Sequence, residues 1–375
     1  MNNKQIKFLY LSQEDMIKAG VLDMPSCVNA LDRMFKVMGT GDYLMGGPEG
    51  EQHGIRIYFP PTPKGPNMPV AGPDRRFMAM IGYLGGEYNV CGEKWYGSNI
   101  ANHKLGLPRS ILMITLNDPV TAAPLAIMDG TLVSAVRTGS IPGVGAKYLA
   151  KKDSKVVSVV GTGVINRACL MSIACVLKNI DEVKTYDMIR DKAEAFSDEM
   201  TKKLGINVHP VDSLEESIRN SDVISLGTSG SNPPFIKTEW IKEGAYVAVT
   251  GAGAVLEESL LLSHRIVADN WKMHQTWRAE VDSLPEDMRN ISGMIPYLKV
   301  HGLVENGHLK VENIDNLGSI ATGQRPGRMD DKEIIILLSG GMVTEDIVWA
   351  YTVYKTAKAK GIGQELTLWN EPCWC

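Results

Sequence analysis

The order of apolar and polar positions divides the chain into stretches of different character. Residues 6–11 (IKFLYL) read as a short strand, and Ser12, three residues before Asp15, marks a helix start. Leu31, Met34, Phe35 and Met38 recur at i, i+3, i+4 and i+7, which predicts an amphipathic helix ending at the turn GTGD. In GIRIYFP (54–60), Ile55, Ile57 and Phe59 alternate with Arg56 and Tyr58. That spacing predicts a strand with Arg56 on the face opposite the apolar set. After a Pro- and Gly-rich loop, FMAMIGYL (77–84), YNVCGEKW (88–95), ILMITLN (111–117) and PLAIMDG (124–130) read as strands, the last pair joined by the turn NDP. The first third is therefore a mixed unit dominated by antiparallel strands.

The period changes at residue 155. KVVSVV is a continuous apolar run, followed by Gly161-Thr162-Gly163 and a helical stretch to about Leu177. VKTYD (183–187), INVHPV, DVISLGT (222–228), AYVAVTG (245–251) and RIVAD (265–269) then alternate with helical segments. Apolar strands alternating with helices predict a parallel sheet covered on both faces. Near the C-terminus IIILLSGG reads as strand and turn, and Thr344 opens a long helix. Glu345 and Asp346 lie in its first turn and Lys355, Lys358 and Lys360 near its end, matching the helix dipole.

Composition narrows the functional classes. A chain of 375 residues, 44% hydrophobic and 22% charged, is globular rather than disordered and long enough for two domains. A net charge of −4 gives no reason to expect nucleic acid or an acidic membrane surface as partner. No apolar run approaches the ~18 residues of a membrane span, and the first residues lack the layout of a signal peptide. Six cysteines without paired spacing point to the reducing cytoplasm, and Cys373 and Cys375 read as part of a frayed tail rather than a metal site. The 19 methionines read as adaptable core filling.

The strand–Gly161-x-Gly163–helix order is a dinucleotide signal. The first glycine permits the tight turn and the second lets backbone approach a pyrophosphate. The helix N-terminus, from Val164 and Ile165, then supplies N–H donors. Asp187, at the end of the next strand, is placed to bond the adenosine ribose hydroxyls and favours NAD. Arg190, three residues on, either pairs with a 2′-phosphate, which leaves NADP possible, or is a solvated helix residue. Asn166 occupies the third fingerprint position, where a small residue normally allows close packing.

Three cations precede this unit: Arg56 on its strand, Lys94 in KWYGSN (94–99) and Arg137 in AVRTG (135–139). With GLPRS, PLAIMDG, VVGTGV, GQRPGR (323–328) and LLSGGM (337–342), in this order, these segments resemble the ornithine cyclodeaminase/mu-crystallin family from about residue 50 to 360. The resemblance implies an α/β protein: a Rossmann-type doubly wound parallel sheet inserted into a mixed α+β substrate and dimerisation domain. The expected division is 1–138 with 330–375 for the substrate unit and 139–329 for the nucleotide unit. It also implies a homodimer.

By the same resemblance, Arg56, Lys94 and Arg137 hold the α-carboxylate of an amino or imino acid, and Thr138, Thr228 with Ser229, and Ser339 lie along the cofactor. A guanidinium pairs a carboxylate bidentately, and a lysine beside arginines has a lowered pKa suited to proton transfer. The implied reaction is NAD-dependent hydride transfer at a Cα–N bond. The alternatives are redox-neutral ornithine cyclodeamination and a non-catalytic ligand-binding protein. Ala252 stands at or next to the Asp of ornithine cyclodeaminases, and Leu338 stands where many members carry Lys. The KWYGSN and GLPRS segments look closest to siderophore-pathway dehydrogenases, in which Arg109 would read a second carboxylate, or be a surface turn residue. His53 and His103 read as polar loop residues, His301 and His308 as no metal site, and Trp271 and Trp277 as packing against either a core or a partner.

Overall fold

The computed structural model describes residues 4–72, 74–229, 232–251, 253–284 and 295–374, so Ala252 and Cys375 lie outside the described residues. Strands β1 (Ile6–Leu11), β2 (Tyr43–Met45), β3 (Ile55–Tyr58), β4 (Arg76–Leu84), β5 (Val90–Ser98), β6 (Ser110–Asn117) and β7 (Pro124–Asp129) build a first sheet. Its order is β18-β1-β7-β6-β5-β4-β2, with β3 on β4 and β18 (Gln364–Trp369) at the far edge. All its pairings are antiparallel except β1 with β7.

The second sheet is parallel throughout. It contains β8 (Val156–Val160), β9 (Glu182–Tyr186), β10 (Asn207–Pro210), β11 (Val223–Leu226), β13 (Tyr246–Thr250), β15 (Arg265–Ala268), β16 (Ile314–Asn316) and β17 (Ile335–Ser339), in the order β10-β9-β8-β11-β13-β17-β15-β16. A short pair, β12 (Phe235–Ile236) and β14 (Val255–Leu256), lies beside it. Every residue of β11, β13 and β17 is buried, as continuous apolar strands between two helical layers must be. The strand order reverses between β8 and β11, which opens a crevice at their C-terminal ends.

The links between the sheets differ from the expected division. Residues 334–338 were expected in the substrate unit, but β17 sits inside the second sheet, between β13 and β15. We place the return to the first sheet after Ser339, with the helix Val343–Lys360, which packs across β4, β5 and β6. The other proposed limit, at 138, falls within one continuous helix, Thr131–Leu149, that lies against the helix Val164–Val176. The tail is not frayed at its start: β18 pairs with β1 from Gln364 to Trp369, and Lys7 pairs with Glu365 at 2.7 Å. Among the described residues no helix is long and apolar enough to cross a membrane.

Candidate active site

Lys94 points from β5 to the side covered by the Val343–Lys360 helix and is 2% exposed. Its Nζ donates to Asp346 Oδ2 at 2.6 Å. Arg137, from the Thr131–Leu149 helix, reaches the same residue: its Nε donates to Asp346 Oδ1 at 2.8 Å and its Nη1 to Glu345 Oε2 at 2.5 Å. Asp346 thus bridges two buried cations that stand on different elements. Gly341, with φ of +85°, lies against the guanidinium, where a Cβ would come within 2.5 Å of Arg137 Nη1.

Burial, then the neighbouring Arg137 charge, pull the Lys94 ammonium down to about 8. Burial pushes the Glu345 carboxyl up to about 8, against the opposing pull of Arg137. Glu345 Oε1 has no hydrogen-bond partner and is fully enclosed, while Oε2 also accepts from the Met342 backbone N–H at 3.2 Å.

Arg56 joins this group from β3. Its Nη1 donates to Glu280 Oε2 at 2.5 Å, its Nη2 to His53 Nδ1, and its guanidinium lies 4.9 Å from the centroid of Trp277. His53 stacks on Trp277 at 4.1 Å and is buried, not a solvated loop residue. Burial, followed by the charges of Arg56 and Lys94, holds its imidazole well below the usual histidine range and hence neutral at pH 7. Trp271 and Trp277 are both core residues, packed against His301 and His53. Behind them, Asp269 accepts from His274 at 2.7 Å and from the backbone N–H groups of Gly340 and Gly341 at 2.7 and 3.0 Å. This fixes the turn that carries the chain from Ser339 to Glu345.

On the nucleotide side, Gly161 has φ of +86°, which an L side chain resists, and packs on Thr228. Gly163 caps the next helix without a side-chain acceptor, and a Cβ there would meet nothing within 4 Å. The first turn at Val164 and Ile165 therefore faces open space, a form that suits a pyrophosphate. Asp187 closes the turn from the next strand, accepting from Thr162 N and Oγ1 at 2.9 and 3.0 Å. Asn166 does not weaken the motif as expected. It is buried, its Nδ2 donates to the carbonyls of Val160 and Gly161 at 2.7 Å each, and its Oδ1 accepts from Ser225 Oγ at 2.8 Å, so it ties the turn to β11. Arg190 is engaged by Glu194 and Asp212 at 2.9 and 2.7 Å. Thr138 bonds the Ser134 carbonyl, Thr228 the Gly253 carbonyl and Ser339 the Val249 carbonyl.

A model of the ornithine cyclodeaminase/mu-crystallin family matches residues 22–361. The chain belongs to this family. An N-((2S)-2-amino-2-carboxyethyl)-L-glutamate dehydrogenase of Staphylococcus aureus is 28% identical over 365 residues, covering 97% of this chain and 99% of that protein. The structure of Thermococcus litoralis Δ1-pyrroline-2-carboxylate reductase with NADH and L-proline superposes with a TM-score of 0.78 at 27% identity, covering 95% of this chain and 99% of the other. An archaeal alanine dehydrogenase dimer with bound NAD gives a TM-score of 0.77 at 26% identity, covering 97% and 100%.

Within this family chain, sequence reasoning overlooked several residues at the site. Glu345 and Asp346 read as dipole-matching helix residues, although both are buried and face the clamp. An Asp and Glu pair buried at a helix start, rather than solvated, has no sequence signature. Asp269 and Glu280 were also missed, because the contacts that tie them to the site, Asp269 to Gly340 and Gly341 and Glu280 to Arg56, join distant parts of the chain.

Proposed function

We propose that the chain is an NAD-dependent oxidoreductase acting at the Cα–N bond of a small α-amino or α-imino acid, of the imine-reductase or amino-acid-dehydrogenase type. The observation that carries this reading is the meeting of Lys94 and Arg137 on Asp346, with Arg56 beside them, Arg137 standing on the helix that packs against the one following the glycine turn. Buried cations from separate segments hold a carboxylate in one orientation, which fixes the neighbouring carbon.

The residues present fit NAD. Gly161, Thr162, Gly163, Val164 and Ile165 would hold the pyrophosphate, Asp187 the adenosine ribose, and Thr138, Thr228 and Ser339 the nicotinamide half. Asp187 disfavours a 2′-phosphate, and Arg190 is already engaged by two carboxylates, so NAD is preferred over NADP. When bound, NAD accepts or supplies the hydride. Arg56 and Arg137 orient the substrate carboxylate. Lys94, lowered to about 8, carries a proton near neutral pH that it can pass to the substrate nitrogen in the reducing direction. Glu345, raised to about 8, stays largely protonated at pH 7, so the arriving carboxylate meets less negative charge than three ionised acids would present.

The outer face of the first sheet exposes Ile55, Ile57, Phe77, Ile81, Trp95, Ile111 and Met113 as one apolar surface across β3 to β6. A second copy of the chain covers it in the homodimer we infer. Placing lysines at Ile81 and Met113 should convert the dimer to a monomer in light scattering, and an unchanged mass would refute this interface.

The activity is tested by screening 2-oxo acids with ammonia or small amines against NADH and NADPH at the nicotinamide absorbance band. Oxidation of NADH with at least one acid is expected. No absorbance change across the panel would overturn the reading.

A further inference from the structure

We infer that His274 is a positioning residue for hydride transfer: through Asp269 it holds the Gly340–Gly341 turn, and that turn sets the nicotinamide side of the site against the carboxylate clamp. This inference rests on the reaction proposed above and adds to it a residue that acts through others.

Residues 339–346 carry both halves of the site. Ser339 ends β17, on the side given to the nicotinamide. Gly341, at φ of +85°, lies against the Arg137 guanidinium, and the Met342 N–H holds Glu345 Oε2. Asp346 follows, bonded to Lys94 and Arg137. The approach of the nicotinamide to the substrate carbon therefore depends on how this turn is held. Gly340 and Gly341 have no side chains to anchor them, and both of their N–H groups go to one acceptor, Asp269 Oδ2, at 2.7 and 3.0 Å.

Asp269 follows β15 and is buried. Its Oδ1 accepts from His274 Nε2 at 2.7 Å and from the Asn270 N–H at 2.8 Å. Burial pushes this carboxyl up, but His274 and the N–H donors of Gly341 and Asn270 outweigh it and hold it below its ordinary value. The carboxylate is thus fixed at both oxygens: His274 and Asn270 take one, and the turn takes the other. His274 can direct Asp269 because its helix, Trp271–Ser283, is pinned at its start. There the Trp271 N–H donates to Asn316 Oδ1 at 2.7 Å, and Asn270 Nδ2 donates to Tyr43 Oη and Glu51 Oε2 at 3.0 and 2.8 Å.

Packing alone does not account for a histidine at this position. The ring is fully buried and stacks on Tyr297 at 3.9 Å, and its Nδ1 is enclosed with no hydrogen-bond partner among the described residues. An enclosed polar atom without a partner costs free energy that an apolar ring of similar shape would avoid. What the imidazole supplies in return is the Nε2–H on Asp269. The ring also meets the turn directly. A Cβ added to Gly340 would come within 2.6 Å of His274 Cε1 and 3.3 Å of Trp277 Cζ3. The same helix reaches the clamp from its other side, through Trp277 on His53 and Glu280 on Arg56.

The test measures steady-state kinetics with the best 2-oxo acid and amine from the panel above. NADH is compared with NADH deuterated at the transferred C4 position. His274→Phe keeps a ring on Tyr297 but removes the donor. It should lower kcat about thirtyfold, raise the isotope effect on kcat and leave both KM values within about threefold. His274→Gln restores a donor near the Nε2 position and should bring kcat back to within about fivefold of the wild type. Gly340→Ala keeps His274 and presses a methyl group on it from the turn. It should show the same split between kcat and KM, which covers the case of a His274→Phe chain that does not fold. Amide exchange in a peptide spanning 339–342, read by mass spectrometry, should quicken about tenfold in His274→Phe and not in His274→Gln. An unchanged kcat in His274→Phe, or a His274→Gln enzyme as slow as His274→Phe, would reduce the ring to packing and overturn the inference. A KM that rises as much as kcat falls would place the loss in binding and also overturn it. If the wild type turns over no acid in the panel, the reaction reading fails, and the hold of His274 on the turn is decided by exchange. Quickening in His274→Phe with His274→Gln spared then keeps that hold, and equal exchange in all three chains overturns it.

Discussion

The two halves of the site are built in opposite ways. The nucleotide half uses consecutive backbone: Gly161 to Ile165 form one turn and helix start, and Asp187 and Asn166 tie it down from nearby. The substrate half uses side chains drawn from β3, β5 and two helices, with Arg137 and Glu345 separated by 208 residues. The first presents open N–H groups to a ligand, whereas the second arrives already filled with its own carboxylates. A backbone cradle tolerates changes to the side chains around it. A clamp of buried, mutually paired charges does not, because each member that is removed leaves another uncompensated.

That contrast ranks the expected effects. Arg137→Ala should reduce kcat/KM about a thousandfold, ~4 kcal/mol of transition-state binding, because it removes a carboxylate ligand and unpairs Asp346 and Glu345. Steady-state kinetics check this, and an unchanged kcat/KM would remove Arg137 from the site. Asp346→Ala strips the shared partner of Lys94 and Arg137. It should destabilise the protein by ~3 kcal/mol, read as a lower urea midpoint at unchanged slope.

A smaller effect is expected at Glu345. Its folded-state pKa is raised, so it is protonated below about 8 and gains a charge beside Arg137 as pH rises through that value. Lys94, also near 8, loses its proton over the same range. The substrate KM should therefore rise and reductive kcat should fall above about pH 8. Glu345→Gln should flatten the first trend severalfold and leave the second, since only the carboxyl has been removed. A KM that climbs equally in the variant would refute the role of Glu345. At the other extreme, Arg190→Ala should leave the KM for NAD within about twofold, as expected for an exposed, already paired arginine. A large loss would mean that Arg190 leaves Glu194 and Asp212 to contact the cofactor.

The same contrast explains what could be read in the sequence. β8, the Gly161 turn and Asp187 were legible because a local backbone motif needs its residues in order. The apolar runs of β11, β13 and β15 were legible for a similar reason, since burial on both faces leaves no polar alternation. β17 was recognised as a strand but given to the wrong unit, because a continuous apolar run does not state which sheet it enters. β16, at three residues, is too short for a periodic signal, whereas β18 does alternate, Glu365 and Thr367 with Leu366 and Leu368, and went unread. Arg56, Lys94 and Arg137 stand out by their setting in the sequence and take their role from the family resemblance, while their partners Glu280, Asp346 and Glu345 have identities that suit any solvated helix.

The ion pairs of Arg137 also bear on chain topology. The second sheet is an excursion that leaves through the Thr131–Leu149 helix and returns through Ser339 to Val343. Arg137 stands on the outgoing segment and Glu345 and Asp346 on the incoming one, in direct contact. The excursion thus starts and finishes at one point, and its conformational entropy of closure depends only weakly on how long it is. A loop in the second sheet far from the crevice can lengthen or shorten without moving the ends apart. Insertions there are expected to leave the junction, and with it the clamp, in register.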